Sequence, residues 1–196
     1  LIIGLLTGCI AGYYGGILDE LLMRFTDIIF AFPALILAMA LVVALGKTLD
    51  NVMIALILVW WPSYTRVIRG EILRVKQEVY VEAAKAVGCS DFRVIIRHIL
   101  PNAIYPVLIV ASLDIGAVVL SVAALSFLGI SGVPAGYADW GQMISYAQAW
   151  IGKGAPLEKY WYAFVIPGLF IFVFVLGWNL LGDAFRDILD PTIRRR

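Results

Sequence analysis

Hydrophobic residues gather in five long runs along the chain, separated by shorter polar stretches. A helix needs about 20 apolar residues to cross a hydrocarbon core, and about 17 are enough when charged residues at its ends reach the interface. The pattern therefore predicts five membrane-spanning helices, the third of which is short. They lie at residues 1–17, 21–45, 51–65, 103–128 and 162–181.

The first two runs carry signals of local geometry. The first is rich in small residues, which let helices pack closely in a membrane. These residues are Gly4, Gly8, Ala11, Gly12, Gly15 and Gly16. The second run contains Pro33, which has no backbone N–H to donate. We therefore predict close packing for the first span and a kink in the second.

The longest polar block, residues 66–102, separates the third run from the fourth. Residues 71–87 are dense in helix formers, and Gly88 follows where a helix can end on a left-handed residue. Ser90 is the predicted N-cap of a second helix, which Pro101 closes. That helix should pack against the chain's own spans because its apolar residues recur at i, i+3, i+4 and i+7. They are Phe92, Ile95, Ile96 and Ile99.

The first helix of this block has an unusual surface. Glu78 and Glu82 are four residues apart and repel each other weakly, whereas Ala83 and Ala84 offer almost no bulk. A smooth, acidic helix surface suits insertion into a groove of a partner protein. A solvated loop helix is the alternative that the spacing leaves open.

Composition agrees with the hydrophobic pattern. Of the 196 residues, 62% are hydrophobic and only 15% are charged, and the mean hydropathy is +0.93. Soluble domains are typically about 45–50% apolar and about 25% charged, so we predict an all-α, polytopic membrane protein. A net charge of +1 gives no indication of nucleic-acid binding. Cys9 and Cys89 are expected to be free thiols. Because the sequence begins inside a hydrophobic run, we expect a further N-terminal portion.

The distribution of basic residues predicts orientation. Twelve of them flank one side of the predicted spans and three, Lys47, Lys153 and Lys159, flank the other. The positive-inside rule then places residues 66–102 and the C-terminus in the cytoplasm. We predict one membrane domain over residues 1–196, with a cytoplasmic loop at 71–102, an external loop at 129–161 and a cytoplasmic tail at 183–196. The external loop includes a short amphipathic stretch at 139–150 that could lie along the interface.

Few residues indicate chemistry. Asp114 lies within the fourth run, where it is either a pathway or gate residue or a hydrogen-bonded structural one. Arg24 and Asp27 could pair with each other or with neighbouring helices. His98 has no further ligand at a suitable spacing, so no metal site is expected. The sequence has no phosphate-binding loop and no hydrolase motif. We therefore expect that the chain is not an enzyme and binds no cofactor itself.

Several motifs resemble one transporter family. The tripeptide Glu82-Ala83-Ala84, the following Gly88 and the segment "HILPN" at 98–102 look like the cytoplasmic EAA loop of permease subunits in bacterial ATP-binding-cassette importers. The segments "GYYGGILDELLMRFTDIIFAFPALILA" (12–38), "LSFLGIS" (125–131) and "LGDAFRDILDP" (181–191) are similar to the second permease subunit of dipeptide, oligopeptide and nickel importers. The resemblance covers nearly the whole chain.

The resemblance implies a five-helix permease core in a bacterial or archaeal cytoplasmic membrane. Its coupling helices would dock on an ATPase subunit, with Glu82, Ala83, Ala84 and Gly88 at the motif's contact and turn positions. It also implies a homologous second permease, two ATPase chains that use ATP and Mg²⁺, an external substrate-binding protein, and a cargo of peptides or a related small solute such as nickel. An ion-gradient-driven transporter or channel is the alternative, although it would need more charged residues within the spans.

Overall fold

The computed structural model describes residues 1–134, 137–154 and 156–189 of the chain, and every regular element among them is helical. The elements are α1 (Ile2–Tyr14), α2 (Gly16–Phe30), α3 (Ala34–Leu45), α4 (Leu49–Val75), α5 (Val79–Ala86), α6 (Asp91–Val94), a π-helical turn (Ile95–Ile99), α7 (Leu100–Ala103), α8 (Tyr105–Phe127), α9 (Trp140–Gly152), α10 (Leu157–Tyr160) and α11 (Tyr162–Leu189). The predicted all-α, polytopic membrane class is confirmed.

The helices long and apolar enough to cross a membrane alone are, in the described part of the chain, α4, α8 and α11. They correspond to the third, fourth and fifth predicted spans. Helices α2 and α3 meet the same criterion only as a bent pair, and α1 is a shorter apolar helix of 13 residues. The first two predicted spans are therefore less regular than the hydrophobic pattern indicates.

The break predicted by Pro33 in the second span is confirmed, since α2 ends at Phe30 and Pro33 is the N-cap residue of α3, with which α2 forms a bent pair. One predicted boundary is wrong. Helix α4 continues through Pro62 to Val75, so residues 71–75 extend a span and do not begin a separate loop helix. The predicted tail at 183–196 begins inside α11, and its residues 190–196 lie outside the described part of the chain.

The chain forms two compact units. The first comprises Leu1–Phe32, Trp60–Ala111 and the end of α11 from Gly182, and the second comprises Pro33–Val59 and Ser112–Leu181. In the first unit, α1 lies directly against α4. A Cβ added to Gly4 would lie 2.6 Å from the Trp61 carbonyl oxygen, and one added to Gly12 would lie 2.9 Å from Ile72 Cβ. The close packing predicted for the first span is confirmed.

The core of the first unit extends from the membrane helices into the polar block. Its buried side chains come from α1, the second half of α4, α5, the α6–α7 segment and the start of α8. They include Ile68, Ile72, Val75, Val81, Ala84, Val94, Ile99, Ala103 and Val107. Residues 76–102 are therefore packed against their own membrane helices on one side.

In the second unit, Asp139 organises the start of α9. One carboxylate oxygen accepts from the Gln142 backbone N–H at 3.0 Å and caps the helix, while the other accepts from the Ser126 hydroxyl at 2.7 Å. Trp140 stacks on Phe170 of α11 with ring centroids 6.0 Å apart. The amphipathic stretch predicted at 139–150 thus forms a helix anchored at its first turn.

Candidate functional site

The first feature of the polar block is the turn between α4 and α5. Glu78 and Gln77 donate their backbone N–H groups to the carbonyls of Val75 and Arg74, which closes the last turn of α4. Glu78 then has an extended backbone as N-cap of α5. Its carbonyl accepts from the Glu82 N–H at 3.3 Å, so Glu78 and Glu82 stand one helical turn apart at the start of α5.

Helix α5 has one exposed and one buried face. Val79 is 79% exposed at its start and Val87 is 80% exposed at its end, and both Glu82 and Ala83 face solvent. Val81 and Ala84 are buried in the core of the first unit. The expectation that Ala84 offers its side chain to a partner is wrong in this respect, because its small side chain is used for packing within the chain.

Tyr80 lies at the edge of the exposed face. Partial burial raises the pKa of its phenol, the Glu78 carboxylate raises it further, and Arg74 acts in the opposite direction. The phenol is therefore neutral at physiological pH. It adds an aromatic surface, but no charge, to this end of α5.

Gly88 ends α5 as predicted, with a φ of +83°. Its N–H donates to the Lys85 carbonyl at 2.9 Å, and the Cys89 N–H donates to the Ala84 carbonyl at 3.1 Å. These two bonds form a Schellman motif, in which the residue after the helix adopts the left-handed conformation that glycine tolerates. A Cβ at this position would meet no atom within 4 Å, so the requirement for glycine is conformational and not steric.

The segment after Gly88 differs from the predicted amphipathic helix. Ser90 is the N-cap residue of α6, as expected, but its side chain makes no capping hydrogen bond, and the helical path continues past Pro101 to Ala103. Phe92 is 75% exposed and Ile96 is also exposed, whereas Val94 and Ile99 are fully buried.

The π-helical turn explains this change of face. The Leu100 N–H donates to the Ile95 carbonyl five residues earlier, so each turn here contains more residues than an α-helix. Residues five apart, Val94 and Ile99, consequently point into the core together. A uniform period of 3.6 residues cannot predict this arrangement.

Tyr13, at the end of α1, contacts three parts of the polar block. Its hydroxyl donates to the Asp91 carboxylate at the start of α6. Its carbonyl accepts from Lys76 Nζ at 2.5 Å, and the Lys76 and Lys85 ammonium groups lie 5.4 and 5.0 Å from its ring centroid. No local sequence pattern predicts this role of Tyr13, because Asp91 is 78 positions away in the chain.

Two ion pairs join α2 to α4. Arg69 donates through two nitrogens to the two carboxylate oxygens of Asp19, both at 2.6 Å, and Arg66 contacts Asp27 at 2.6 Å. Arg24 pairs with Glu20 at 3.8 Å. Of the two alternatives for Arg24 and Asp27, pairing with a neighbouring helix is confirmed for Asp27, whereas Arg24 pairs with Glu20 of its own helix.

Comparison with known proteins identifies the family. The model of the binding-protein-dependent transport system inner membrane component matches residues 4–195. The chain belongs to this family of permease components. The resemblance carried by the EAA, Gly88 and "HILPN" motifs is thereby confirmed. This also places the permease in the cytoplasmic membrane as a multi-pass protein.

Three similar proteins show the range of related transport systems. The dipeptide transport system permease protein DppC of Alkalihalophilus pseudofirmus is 41% identical over 194 residues, which are 99% of this chain and 62% of the relative. The probable D,D-dipeptide transport system permease protein DdpC of Escherichia coli K12 is 43% identical over 189 residues, 96% of this chain and 61% of the relative. The glutathione transport system permease protein GsiD of Pectobacterium atrosepticum is 38% identical over 194 residues, 99% of this chain and 62% of the relative. The permease chain thus spans about three fifths of their length.

The remaining candidate residues of the permease are Asp114, the two cysteines and His98. Asp114 is half-buried in α8, two positions before Gly116, where α8 approaches Val175 of α11 closely enough that a Cβ would lie 3.3 Å from Val175 Cγ1. Cys9 and Cys89 are free thiols. The carbonyl of His98 accepts from the Asn102 side chain at 2.8 Å.

Proposed function

We propose that this permease component is a transmembrane subunit of an ATP-driven importer for small peptides, and that α5 with the Gly88 turn couples it to an ATPase subunit. The observation that carries the proposal is the division of α5 into an exposed and a buried face. The exposed face would bind the partner, and the buried face would transmit the partner's movement to the membrane helices.

The exposed face has the chemistry of a docking surface. Val79, Ala83 and Val87 lie along one side of α5 at intervals of four residues and are exposed, with Glu82 beside them. An amphipathic helix that presents apolar residues at such intervals can insert into a hydrophobic groove. Side chains as small as alanine and valine allow a close approach, and Glu82 offers one charge for orientation.

The buried face of α5 connects the docking surface to the membrane helix α4. Val81 and Ala84 pack in the same core as Ile72 and Val75 at the end of α4. Helix α4 contains 27 residues, which correspond to a length of about 40 Å. Movement of α5 by an ATPase would therefore act directly on one end of a long span. For ATP to drive transport, the groove must bind α5 differently in the inward-open and outward-open states.

The names of the similar proteins bear on cargo and partners. They refer to dipeptide, D,D-dipeptide and glutathione transport. We infer a small peptide or peptide-like solute in preference to nickel. The assembly would contain a homologous second permease, two ATPase chains that use ATP and Mg²⁺, and an external substrate-binding protein. ATP hydrolysis would occur in the ATPase chains.

The experiment compares Glu82→Lys with Glu158→Lys in the importer reconstituted in lipid vesicles. Both substitutions replace an exposed glutamate by lysine, but Glu158 lies in the predicted external loop. Glu82→Lys should greatly reduce peptide uptake per ATP hydrolysed, because the docking surface changes its charge, and Glu158→Lys should leave this ratio unchanged. Equal ratios in both variants, or purification of the wild-type permease without an ATPase, would contradict the proposal.

The cargo is tested separately. Uptake of dipeptides, glutathione and a nickel chelate should be measured with the cognate binding protein present. Saturable uptake of the nickel chelate alone would overturn the inference of a peptide cargo without affecting the proposed coupling role of α5.

A further inference from the structure

We propose that Tyr13 is a positioning residue that fixes α5 and α6 to the end of α1, so that movement of the docking surface reaches two membrane helices and not α4 alone. The inference rests on the proposed function, since it specifies how the coupling surface is held. It concerns a single buried residue whose contacts with Lys76, Lys85 and Asp91 lie within the first compact unit.

The contacts of Tyr13 span the whole docking element. Lys76 lies in the turn before α5, Lys85 lies in the last turn of α5, and Asp91 begins α6. Tyr13 touches all three, through its carbonyl oxygen, its ring and its hydroxyl. Tyr13 itself is only 4% exposed, whereas Lys85 and Asp91 are exposed, so these contacts lie at the edge of the core. One residue of α1 therefore holds both ends of the element that would dock.

The charges in this cluster support a fixed geometry. The Tyr13 carbonyl is among the last carbonyls of α1, which have no partner within the helix and carry partial negative charge. The Lys76 ammonium satisfies this carbonyl at 2.5 Å. A tyrosine ring attracts cations on its face, and two ammonium groups lie near this ring while a carboxylate accepts a hydrogen bond from its hydroxyl. Attraction from several directions restrains the ring more than any single contact would.

The neighbouring residue provides a matched control. Tyr14 packs edge-to-face on Tyr13 with ring centroids 5.2 Å apart, but it is 55% exposed. Tyr13→Phe and Tyr14→Phe each remove one hydroxyl and keep the ring. Only Tyr13→Phe removes the hydrogen bond to Asp91, so a difference between the two variants reports on that bond.

Two measurements on the assembled importer in nanodiscs test the proposal. The first is peptide transport per ATP hydrolysed, measured after the same preparation has been reconstituted in lipid vesicles. The second is amide hydrogen exchange of residues 79–94, measured in nanodiscs. Tyr13→Phe should lower the transport ratio about fivefold or more, as expected for loss of a bond to a charged group, and should speed exchange in α5 and α6. Tyr14→Phe should change neither.

A double variant tests whether Tyr13 acts through Asp91. Combining Tyr13→Phe with Asp91→Ala should lower the transport ratio no further than the stronger single variant does, because both substitutions remove the same bond. Additive losses would overturn this connection.

The outcomes separate this inference from the proposed function. If Tyr13→Phe matches wild type in both measurements while Glu82→Lys uncouples the importer, the positioning role of Tyr13 is refuted and the coupling role of α5 stands. If exchange in α5 and α6 accelerates but transport per ATP is unchanged, Tyr13 is only structural and the inference fails. If the wild-type importer shows no coupling between ATP hydrolysis and uptake, both proposals are overturned.

Discussion

Replacing Gly8 by alanine should separate α1 from α4. The new Cβ would clash with Ile68 Cγ2 and lie 2.6 Å from the Thr65 carbonyl oxygen. Carbon atoms in contact prefer separations of about 3.5–4.0 Å. The methyl of Ile68 branches from its Cβ and the Thr65 oxygen belongs to the backbone, so rotation of a flexible side-chain end cannot relieve the clash. The helices must therefore move apart.

The magnitude follows from three contributions. Overpacking in a close-packed interface costs about 1–3 kcal/mol. Separation of the helices also strains the hydrogen bond between the hydroxyls of Thr7 and Thr65, which are 2.7 Å apart, and a bond of this kind contributes about 1 kcal/mol. The better helix propensity of alanine offsets up to about 1 kcal/mol. We expect a net destabilisation of about 1–3 kcal/mol.

The assay is thermal unfolding of the purified permease in mild detergent, followed by the loss of its monodisperse chromatographic peak. For a chain of this length, each kcal/mol corresponds to about 2–4 °C, so Gly8→Ala should lower the midpoint by roughly 2–12 °C. Gly70→Ala is the matched control, because Gly70 is also helical but a Cβ there meets no atom within 4 Å. Equal or higher midpoints for Gly8→Ala than for Gly70→Ala would refute the packing argument.

Substitutions at three other positions test separate features. Gly88→Val should lower transport per ATP hydrolysed and should lower stability by about 1 kcal/mol or more. Gly88→Asn should lower stability less, because asparagine tolerates a positive φ. Similar losses in thermal stability for both variants would contradict the conformational argument. Asp139→Ala should lower stability by about 1–3 kcal/mol through loss of the α9 cap and the Ser126 bond, and Asp139→Asn should retain most of the cap, as judged by the same unfolding assay. Asp114→Asn should leave folding intact and reduce peptide uptake if Asp114 lines the transport pathway; unchanged uptake would favour a structural role.

The hydrophobic pattern was sufficient for the class of protein and for several local features. Apolar runs of sufficient length can satisfy their backbone in lipid only as helices or closed barrels, and the length of these runs favours helices. The left-handed Gly88 and the N-cap position of Ser90 were also predicted, because both depend on the intrinsic conformational preferences of single residues. The family was indicated by the resemblance of the EAA and "HILPN" motifs to the cytoplasmic loop of known permeases.

Features that depend on contacts between distant segments were decided only by the tertiary structure. Burial of Val94 and Ile99 follows from a π-helical turn that no helical period predicts, and burial of Ala84 depends on the core beneath α5. Tyr13 meets Asp91 only after α1 has packed along α4 through its glycines. Local sequence patterns describe which conformations a segment prefers, but the partner of each side chain is set by packing among segments that are far apart in the chain.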